Sequence, residues 1–420
     1  MALGSARVHD LAVMPVGARC SDGLRTCQEE QQLMNHSAPA RALSAAFAAV
    51  CVMAAPGETW AASAAIRLDQ AGWETTGDVK FVRMEGFPQG ILAIKSGTAV
   101  LKGHGFGDGT IEFDARFDPQ DMDLPAIRFH RRDADNAEEF YLRPDSDCPA
   151  ANDCVQYTPV FKGRMTWDMY PEYQAAAPVS LTTWNHVRLV IDERRMNVFI
   201  NGQSAPALSV ARLQGEADEG GIEFKGPASF ANLTLSDNIE DKPAAADGRS
   251  AREDPRFVRR WLVTAPLASA HEFPADLDAI PRAAGSFAPM TADENGLVNL
   301  NRRFGPPTGA PSAFVWLKAV VRSTRAQDKH VAFGWLRQAA VFVNGQQVFK
   351  DDNFYYPATA RREPDGRLSL ENSGFELPLR AGDNEIDVLI GNSFPQSKTH
   401  YGWGFKMRFD DLDGIALDGS

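Results

Sequence analysis

The strictest constraint on the fold of this chain is a strand pattern that begins at Thr110. From Thr110 to Phe117 the apolar residues fall on odd positions, whereas Glu112, Asp114 and Arg116 fall on even ones. A period of two is typical of a β-strand with one buried face, because successive side chains point to opposite faces of a sheet. The segment therefore predicts a strand with one buried row and one polar row.

The same alternation recurs in the next two apolar segments. Ile127 and Phe129, and then Phe140 and Leu142, are predicted to face the core. Their polar neighbours in sequence are expected to share the opposite face with the polar row of the first strand. The candidate ligand-binding residues are Glu112, Asp114, Arg128, His130, Tyr141, Arg143, Gln156 and, at the rim, Tyr170.

The residue types on this face favour a binding role. Arginine and carboxylate groups make paired hydrogen bonds to hydroxyls, and a tyrosine ring offers a flat apolar surface to the C–H face of a sugar. The alternative is that the polar side chains are merely solvated, as on the wet side of any antiparallel sheet. The pattern thus predicts a carbohydrate or glycoconjugate as partner, with a solvated surface as the competing interpretation.

Composition indicates an all-β protein, and the course of the sequence divides it into two tandem β domains, which we interpret as β-sandwiches. The 420 residues include 34 glycines and 26 prolines, and long helical periodicity is nearly absent. We predict one sandwich over residues 65–236, a polar linker over 237–256 and a second sandwich over 257–420. The formal net charge of −12 and the lack of a basic cluster argue against nucleic acid as a partner. The oligomeric state is not predicted.

The first 64 residues are typical of a leader. After Met34 come a short n-region, the apolar run Ala42–Ala55 and small residues up to Ala64, so that we predict a signal peptide over 34–64. Residues 1–33 are interpreted as a mis-called extension. The apolar run is shorter than the ~20 residues that a bilayer requires, so no membrane span is expected in the mature chain. A single-pass anchor is the competing interpretation, and the expected location is secreted or periplasmic.

Loss of the leader leaves two cysteines, Cys148 and Cys154. Two cysteines six positions apart in an exported protein predict one disulfide that closes a small loop. The oxygen-rich loops at 133–136 and 145–147 offer candidate ligands for calcium, but each lacks the full series of ligand residues of a known calcium-binding loop. Polar turn residues are the simpler interpretation, so we expect no metal ion and no other cofactor.

Three motifs resemble the concanavalin A-like lectin and glucanase superfamily, above all its laminin-G-like members and the group named after 3-keto-disaccharide hydrolases. The motifs are Phe106–Asp114, Glu139–Arg143, and Trp184–Arg188 with the turn Asn201-Gly202. The resemblance implies a jelly-roll β-sandwich over about residues 66–236. That fold carries lectins, lyases, hydrolases and adhesion modules alike, so it does not by itself imply an activity.

The C-terminal part carries a second resemblance. The segments 341–345, 377–384 and 402–405 are similar to galactose-binding-like β-sandwich domains that are appended to carbohydrate-active enzymes. This resemblance implies an accessory or ligand-binding role for the second sandwich, and it supplies no contact residues.

The evidence for catalysis is weaker than the evidence for binding. A retaining glucanase of this superfamily carries Glu-x-Asp-x-x-Glu on one strand, whereas here Glu112 and Asp114 are followed by Phe117 at the third position. A glycan-cleaving hydrolase that uses other groups of the same face is the second hypothesis, and a cell-surface interaction module is the third. The other candidate groups for acid–base catalysis are Glu138, Glu139, Asp168 and His130.

Overall fold

The computed structural model describes residues 63–118, 121, 123–244, 254–269, 286–293, 295–305, 312–392 and 401–417, which belong to one compact unit. In this part of the chain β-strands dominate, so the predicted all-β fold class is confirmed. The helical elements described are one α-helix, Leu300–Phe304 (α1), and the 3-10 helices Trp167–Met169 and Ala358–Ala360. The predicted leader, except for Ser63 and Ala64, and the middle of the predicted linker lie outside the described residues.

Fourteen strands between residues 64 and 236 form one hydrogen-bonded network. They are Ala64–Ala65 (β1), Trp73–Met84 (β2), Phe87–Leu101 (β3), Gly109–Phe117 (β4), Ala126–Arg131 (β5), Ala137–Leu142 (β6), Val155–Phe161 (β7), Arg164–Met165 (β8), Gln174–Ala175 (β9), Asn185–Asp192 (β10), Arg195–Ile200 (β11), Leu208–Val210 (β12), Gly221–Lys225 (β13) and Ala228–Ser236 (β14). The strand order is β12-β11-β10-β4-β14-β3-β13-β5-β6-β7-β8, and β1, β2 and β9 pair with β14, β3 and β7.

The long strand β3 divides this network into two layers. Its segment 91–94 pairs with β14, whereas its segment 98–100 pairs with β13. The change of partner falls at Gly97 (φ 91°), which lies opposite Gly77 (φ 81°) of β2. A Cβ on Gly97 would lie 2.0 Å from the carbonyl oxygen of Thr76, so only glycine fits there. Layer one contains β12, β11, β10, β4 and β14, and layer two contains β13, β5, β6 and β7.

Aromatic side chains pack the two layers against each other. Phe113 of β4 contacts Phe224 of β13 with ring centroids 5.2 Å apart, and Phe224 stacks on Phe230 of β14 at 4.2 Å. Full burial of one such ring stabilises a fold by about 1.5–3 kcal/mol. The same core contains all four residues predicted from the alternation of β5 and β6, namely Ile127, Phe129, Phe140 and Leu142. That part of the sequence prediction is confirmed.

The C-terminal half forms two further sheets. Its strands are Arg260–Val263 (β15), Leu267–Ser269 (β16), Ala288–Thr291 (β17), Leu297–Asn299 (β18), Ser312–Ser323 (β19), Gln327–Trp335 (β20), Arg337–Val343 (β21), Gln346–Asn353 (β22), Ser373–Leu379 (β23), Gly382–Gly391 (β24), Gly404–Phe409 (β25) and Ile415–Leu417 (β26). One sheet has the order β17-β15-β19-β24-β21-β22, with β16 and β26 paired to β19, and the other has the order β18-β25-β20-β23. Trp261 of the first packs on Phe405 of the second, with ring centroids 5.1 Å apart.

Both Asn-Gly pairs adopt the left-handed backbone that is typical of a type I′ turn. Asn344 (φ 50°) and Gly345 (φ 84°) join β21 directly to β22. Asn201 (φ 52°) and Gly202 (φ 73°) end β11, but the next strand begins only at Leu208, so the connection there is longer than a two-residue hairpin.

The two halves of the unit share a buried junction. Leu297, Leu336 and Leu368 of the C-terminal half are buried in the core of the first sandwich. Arg337 donates from Nη2 to Asp168 Oδ2 at 3.0 Å, and both side chains are almost fully buried. The predicted domain boundaries stay a prediction.

Two further expectations concern export. The disulfide between Cys148 and Cys154 is present and closes the loop between β6 and β7, as predicted. Among the described residues, no helix is both long enough and apolar enough to cross a bilayer.

Candidate functional site

The side of layer two that faces away from layer one carries polar side chains that alternate with its core residues, and four of them, Glu139, Tyr141, Gln156 and Glu223, are buried. In the strand register Arg128 lies opposite both Glu223 and Glu139, and Tyr141 lies opposite Gln156. Directly opposed residues of antiparallel strands point to the same face, so these side chains form one surface. We call this surface the polar face and define it by Arg128, Glu139, Tyr141, Arg143, Gln156 and Glu223.

A buried ion-pair network occupies one side of the polar face. Arg128 donates from Nε to Glu139 Oε2 at 2.5 Å and from Nη1 to Glu223 Oε1 at 3.3 Å, and Arg131 also binds Glu223. Burial by itself would lower the pKa of Arg128, but the Glu139 and Glu223 carboxylates raise it overall. The arginine therefore stays charged and holds both carboxylates in place.

A second cluster centres on the side-chain oxygen of Gln156. Tyr141 donates its hydroxyl to Gln156 Oε1 at 2.6 Å, and Arg143 Nη2 donates to the same oxygen at 2.6 Å. The Arg143 guanidinium also lies 5.5 Å from the centre of the Tyr141 ring. Burial raises the pKa of Tyr141 far above its usual range, so its hydroxyl remains a hydrogen-bond donor.

Three buried atoms of the polar face lack a hydrogen-bond partner in the protein, namely Glu139 Oε1, Arg143 Nε and Gln156 Nε2. Glu139 and Gln156 are 0% exposed and lie on the neighbouring strands β6 and β7. Lys225 Nζ lies 4.0 Å from Glu139 Oε1, which is too far for a hydrogen bond. A buried polar group without a partner costs about 1–3 kcal/mol. The face thus contains one buried acceptor and two buried donors without a hydrogen-bond partner in the protein.

The structure brings together four of the eight predicted site residues: Arg128, Tyr141, Arg143 and Gln156. Glu139 is a sequence candidate for catalysis only, and Glu223 is absent from the candidates. Glu139 has the same parity as Tyr141 on β6 and as Arg143, the residue that follows β6, and this parity is the signal that places it on this face. Glu223 follows the same rule on β13, where it alternates with the core residue Phe224.

Glu112 and Asp114 lie on the other side of the sandwich. Both point outward from β4 in layer one, whereas their neighbour Phe113 packs inward against Phe224 of layer two. The expectation that β4 shares a polar face with β5 and β6 is therefore wrong. Alternation gives the inward and outward rows of a strand correctly, but it does not specify to which layer the strand belongs.

Glu112 and Asp114 instead form a separate cluster with His186. His186 Nδ1 lies 2.8 Å from Asp114 Oδ1, and His186 Nε2 lies 3.4 Å from Glu112 Oε2. Burial tends to raise the pKa of Asp114, but hydrogen bonds from His186 and Asn232 lower it overall. The hydrogen bond to Asp114 raises the pKa of His186.

His130 and Tyr170 also lie away from the polar face. A β-bulge at His130 (φ 45°) reverses the expected direction of its ring, which is buried with Nε2 3.1 Å from the carbonyl oxygen of Gly107. Tyr170 is fully buried in the core rather than at a rim. Its hydroxyl accepts a hydrogen bond from Asn299 Nδ2 at 3.1 Å.

No group of three or more His, Cys, Asp or Glu side chains within the described residues has an arrangement that can hold a metal ion. In the two oxygen-rich loops the carboxylates organise the loop backbone. Asp133 Oδ1 accepts from the amide of Asp135 at 2.8 Å, and Asp145 Oδ1 accepts from the amide of Asp147 at 2.8 Å.

No known protein family matches the sequence, and no curated protein matches it either. Among solved structures, a carbohydrate-binding module, CBM66, from Bacillus subtilis is 16% identical and covers 39% of this chain and 96% of its own, with a TM-score of 0.31. A Bacillus subtilis protein with a galectin-like fold is 14% identical and covers 43% and 97%, with a TM-score of 0.31. A Bacillus licheniformis β-glucanase is 9% identical and covers 43% and 99%, with a TM-score of 0.28.

Proposed function

We propose that this protein is an exported carbohydrate-binding protein that holds a neutral glycan on the polar face. The observation that carries this proposal is the pair of unpartnered buried atoms, Glu139 Oε1 and Gln156 Nε2. A sugar hydroxyl both donates and accepts a hydrogen bond, so one hydroxyl, or two adjacent ones, can satisfy the acceptor and the donor together. The predicted signal peptide and the disulfide support export.

The pairing of charges favours a neutral ligand over an ionic one. Arg128 is paired with two carboxylates, and Arg143 Nε lies 3.4 Å from Asp153 Oδ2. A charged ligand at Arg128 would have to break one of its ion pairs with Glu139 or Glu223 and leave a buried charge without its partner, which is strongly destabilising. A neutral polyhydroxyl compound binds without breaking any of these pairs.

The same contacts favour binding over hydrolysis. Glycoside hydrolysis requires one carboxyl group that donates a proton and a second that acts as nucleophile or base. On this face Glu139 and Glu223 both accept hydrogen bonds from Arg128, so neither is placed as a proton donor. A hydrolase that uses this face is therefore the weaker hypothesis.

Two isosteric substitutions test the proposal. Gln156→Glu keeps the oxygen that binds Tyr141 and Arg143 but replaces the unpartnered donor with an acceptor, and Glu139→Gln makes the opposite change at the unpartnered acceptor. We expect each variant to weaken binding at least about fivefold, because a mispaired buried polar group costs about 1–3 kcal/mol. The measurement is calorimetric titration with a panel of neutral gluco-, xylo-, manno-, galacto- and arabino-oligosaccharides, together with product analysis for cleavage.

Glu112→Gln is the matched control, because it makes the same chemical change on the outer surface of layer one. We expect wild-type affinity for this variant. Loss of binding in Glu112→Gln with retention in Gln156→Glu would move the site to layer one and overturn the proposal. Release of shorter oligosaccharides by the wild-type protein would instead support the hydrolase hypothesis.

A further inference from the structure

Aromatic side chains from both halves of the unit cluster at the junction. The ring of Trp167, which follows β8, lies 4.8 Å from that of Tyr355 and 5.3 Å from that of Tyr401. The Tyr355 ring in turn lies 4.7 Å from that of Tyr356. All three contacts are edge-to-face, with interplanar angles of 72° to 90°, which is a favourable geometry for aromatic pairs.

Arg143 connects this cluster to the polar face. Its guanidinium lies 6.0 Å from the Trp167 ring and 5.5 Å from the Tyr141 ring, while its Nη2 donates to Gln156. The charge of Arg143 also influences the pKa of both Tyr141 and Tyr401. The aromatic cluster is therefore continuous with the end of the polar face that carries Gln156.

Exposure increases along the cluster away from the polar face. Trp167 is 7% exposed, Tyr355 is half-buried and Tyr356 is 50% exposed. Within the described residues, Tyr356 is the only aromatic side chain among the large apolar residues that are exposed. An exposed tyrosine ring offers a flat apolar surface on which a sugar ring can stack.

Arg361 holds this ring pair in position. Its Nε donates to the Tyr355 carbonyl oxygen at 2.6 Å, and its guanidinium lies 4.1 Å from the Tyr355 ring and 5.8 Å from the Tyr356 ring. A surface that is already ordered loses little conformational entropy when a ligand binds. The tyrosine pair is thus preorganised for contact with a ligand.

We propose that Tyr356, supported by Tyr355 and Arg361, forms a second sugar subsite, so that the protein binds an extended oligosaccharide across the junction. One sugar unit lies on the polar face, and a later unit of the same chain stacks on Tyr356. This inference rests on the proposed function, since it assigns the glycan of the polar face a minimum length. It also assigns the C-terminal half a direct part in glycan recognition.

Chain-length dependence tests the second subsite. Wild-type protein and Tyr356→Ala are titrated by calorimetry with the same neutral sugars at lengths of one to six units. We expect wild-type affinity to rise with length, and Tyr356→Ala to weaken the longer oligosaccharides about five- to tenfold while leaving the monosaccharide unchanged. Arg361→Gln should reduce the length dependence in the same direction, because it loosens the ring pair.

Met84→Ala is the matched control, since Met84 on β2 is 52% exposed and is apolar like the tyrosine ring. It should bind every length as the wild type does. Equal affinities of wild type and Tyr356→Ala at all lengths would overturn the second subsite and leave the polar face intact. A uniform loss across all lengths, monosaccharide included, would also overturn it. Wild-type protein that binds no sugar of the panel would overturn the proposed function itself.

Discussion

Replacement of Arg337 by methionine tests how much the buried ion pair contributes to stability at the junction. Asp168 and Arg337 are 0% and 1% exposed, and the guanidinium donates to the carboxylate at 3.0 Å. Methionine is comparably long and carries no charge. The variant therefore leaves the Asp168 carboxylate in the interior with hydrogen bonds from backbone amides only, among them that of Gly402 at 2.7 Å.

The expected loss of unfolding free energy is large because the charged Asp168 carboxylate stays buried without its partner. Removing a single partner of a buried pair typically costs about 3–5 kcal/mol. For a unit of this size, that corresponds to a fall in Tm of about 4–7 °C if it unfolds in one step. Burial already raises the pKa of Asp168, and the Arg337 guanidinium opposes that shift. Without the guanidinium, the pKa of Asp168 in Arg337→Met rises further and the carboxylate takes up a proton more readily. The loss of unfolding free energy should therefore be smaller at pH 5 than at pH 8.

These losses are measured by urea unfolding at pH 5 and pH 8. The proteins compared are the wild type, Arg337→Met, Asp168→Asn and the double variant. We expect the double variant to be more stable than the sum of the two single losses predicts, because neither charge is left alone. A loss below about 1 kcal/mol for Arg337→Met at pH 8 contradicts the reasoning and would mean that water or other groups solvate Asp168 well.

Three further predictions concern titration and covalent structure. Burial raises the pKa of Glu138 to about 7, so the stability due to its neutral form is complete below its ordinary value of 4.5 and is lost as the pH rises through 7. Glu138→Gln should remove about 3 kcal/mol of pH dependence, measured as the difference in unfolding free energy between pH 4.5 and 8; identical pH profiles would refute this. Asp114→Asn should lower the pKa of His186, as measured by NMR titration, and should cost less than about 1 kcal/mol because the pair is half exposed. An unchanged His186 titration would count against that hydrogen bond. Replacing Cys148 and Cys154 with serine should destabilise the protein by about 2 kcal/mol through loop closure, and reduced and oxidised wild type should differ by the same amount in urea unfolding.

The strands and their buried faces could be predicted from the sequence, because alternation is a local property. Phe129 and Phe140 are buried where their positions predict, and the turn at Asn344 joins two strands directly. The bulge at His130 could not be predicted, since nothing in the residue types near it requires a left-handed backbone. A single bulge reverses the direction of one side chain, so one predicted site residue was misplaced.

The assembly of the site required long-range information. Glu112 and Arg128 have the same outward role on their strands, but the chain crosses from one layer to the other between them. Tyr355 and Trp167 are nearly two hundred positions apart in the sequence, and their rings come into contact only at the junction of the two halves. Periodicity within a strand contains no information on either arrangement.

The change of pairing partner along β3 has a consequence for synthesis on the ribosome. One end of this strand pairs with β13 and the other with β14, the last two strands of the first sandwich. The nascent chain must therefore keep its early apolar segments unpaired on that side until the stretch up to Ser236 has left the exit tunnel. Pairings of such high contact order form slowly. A chaperone that binds the β2–β3 hairpin during synthesis should thus raise the yield of folded protein. A chaperone that acts only after release from the ribosome should raise this yield less.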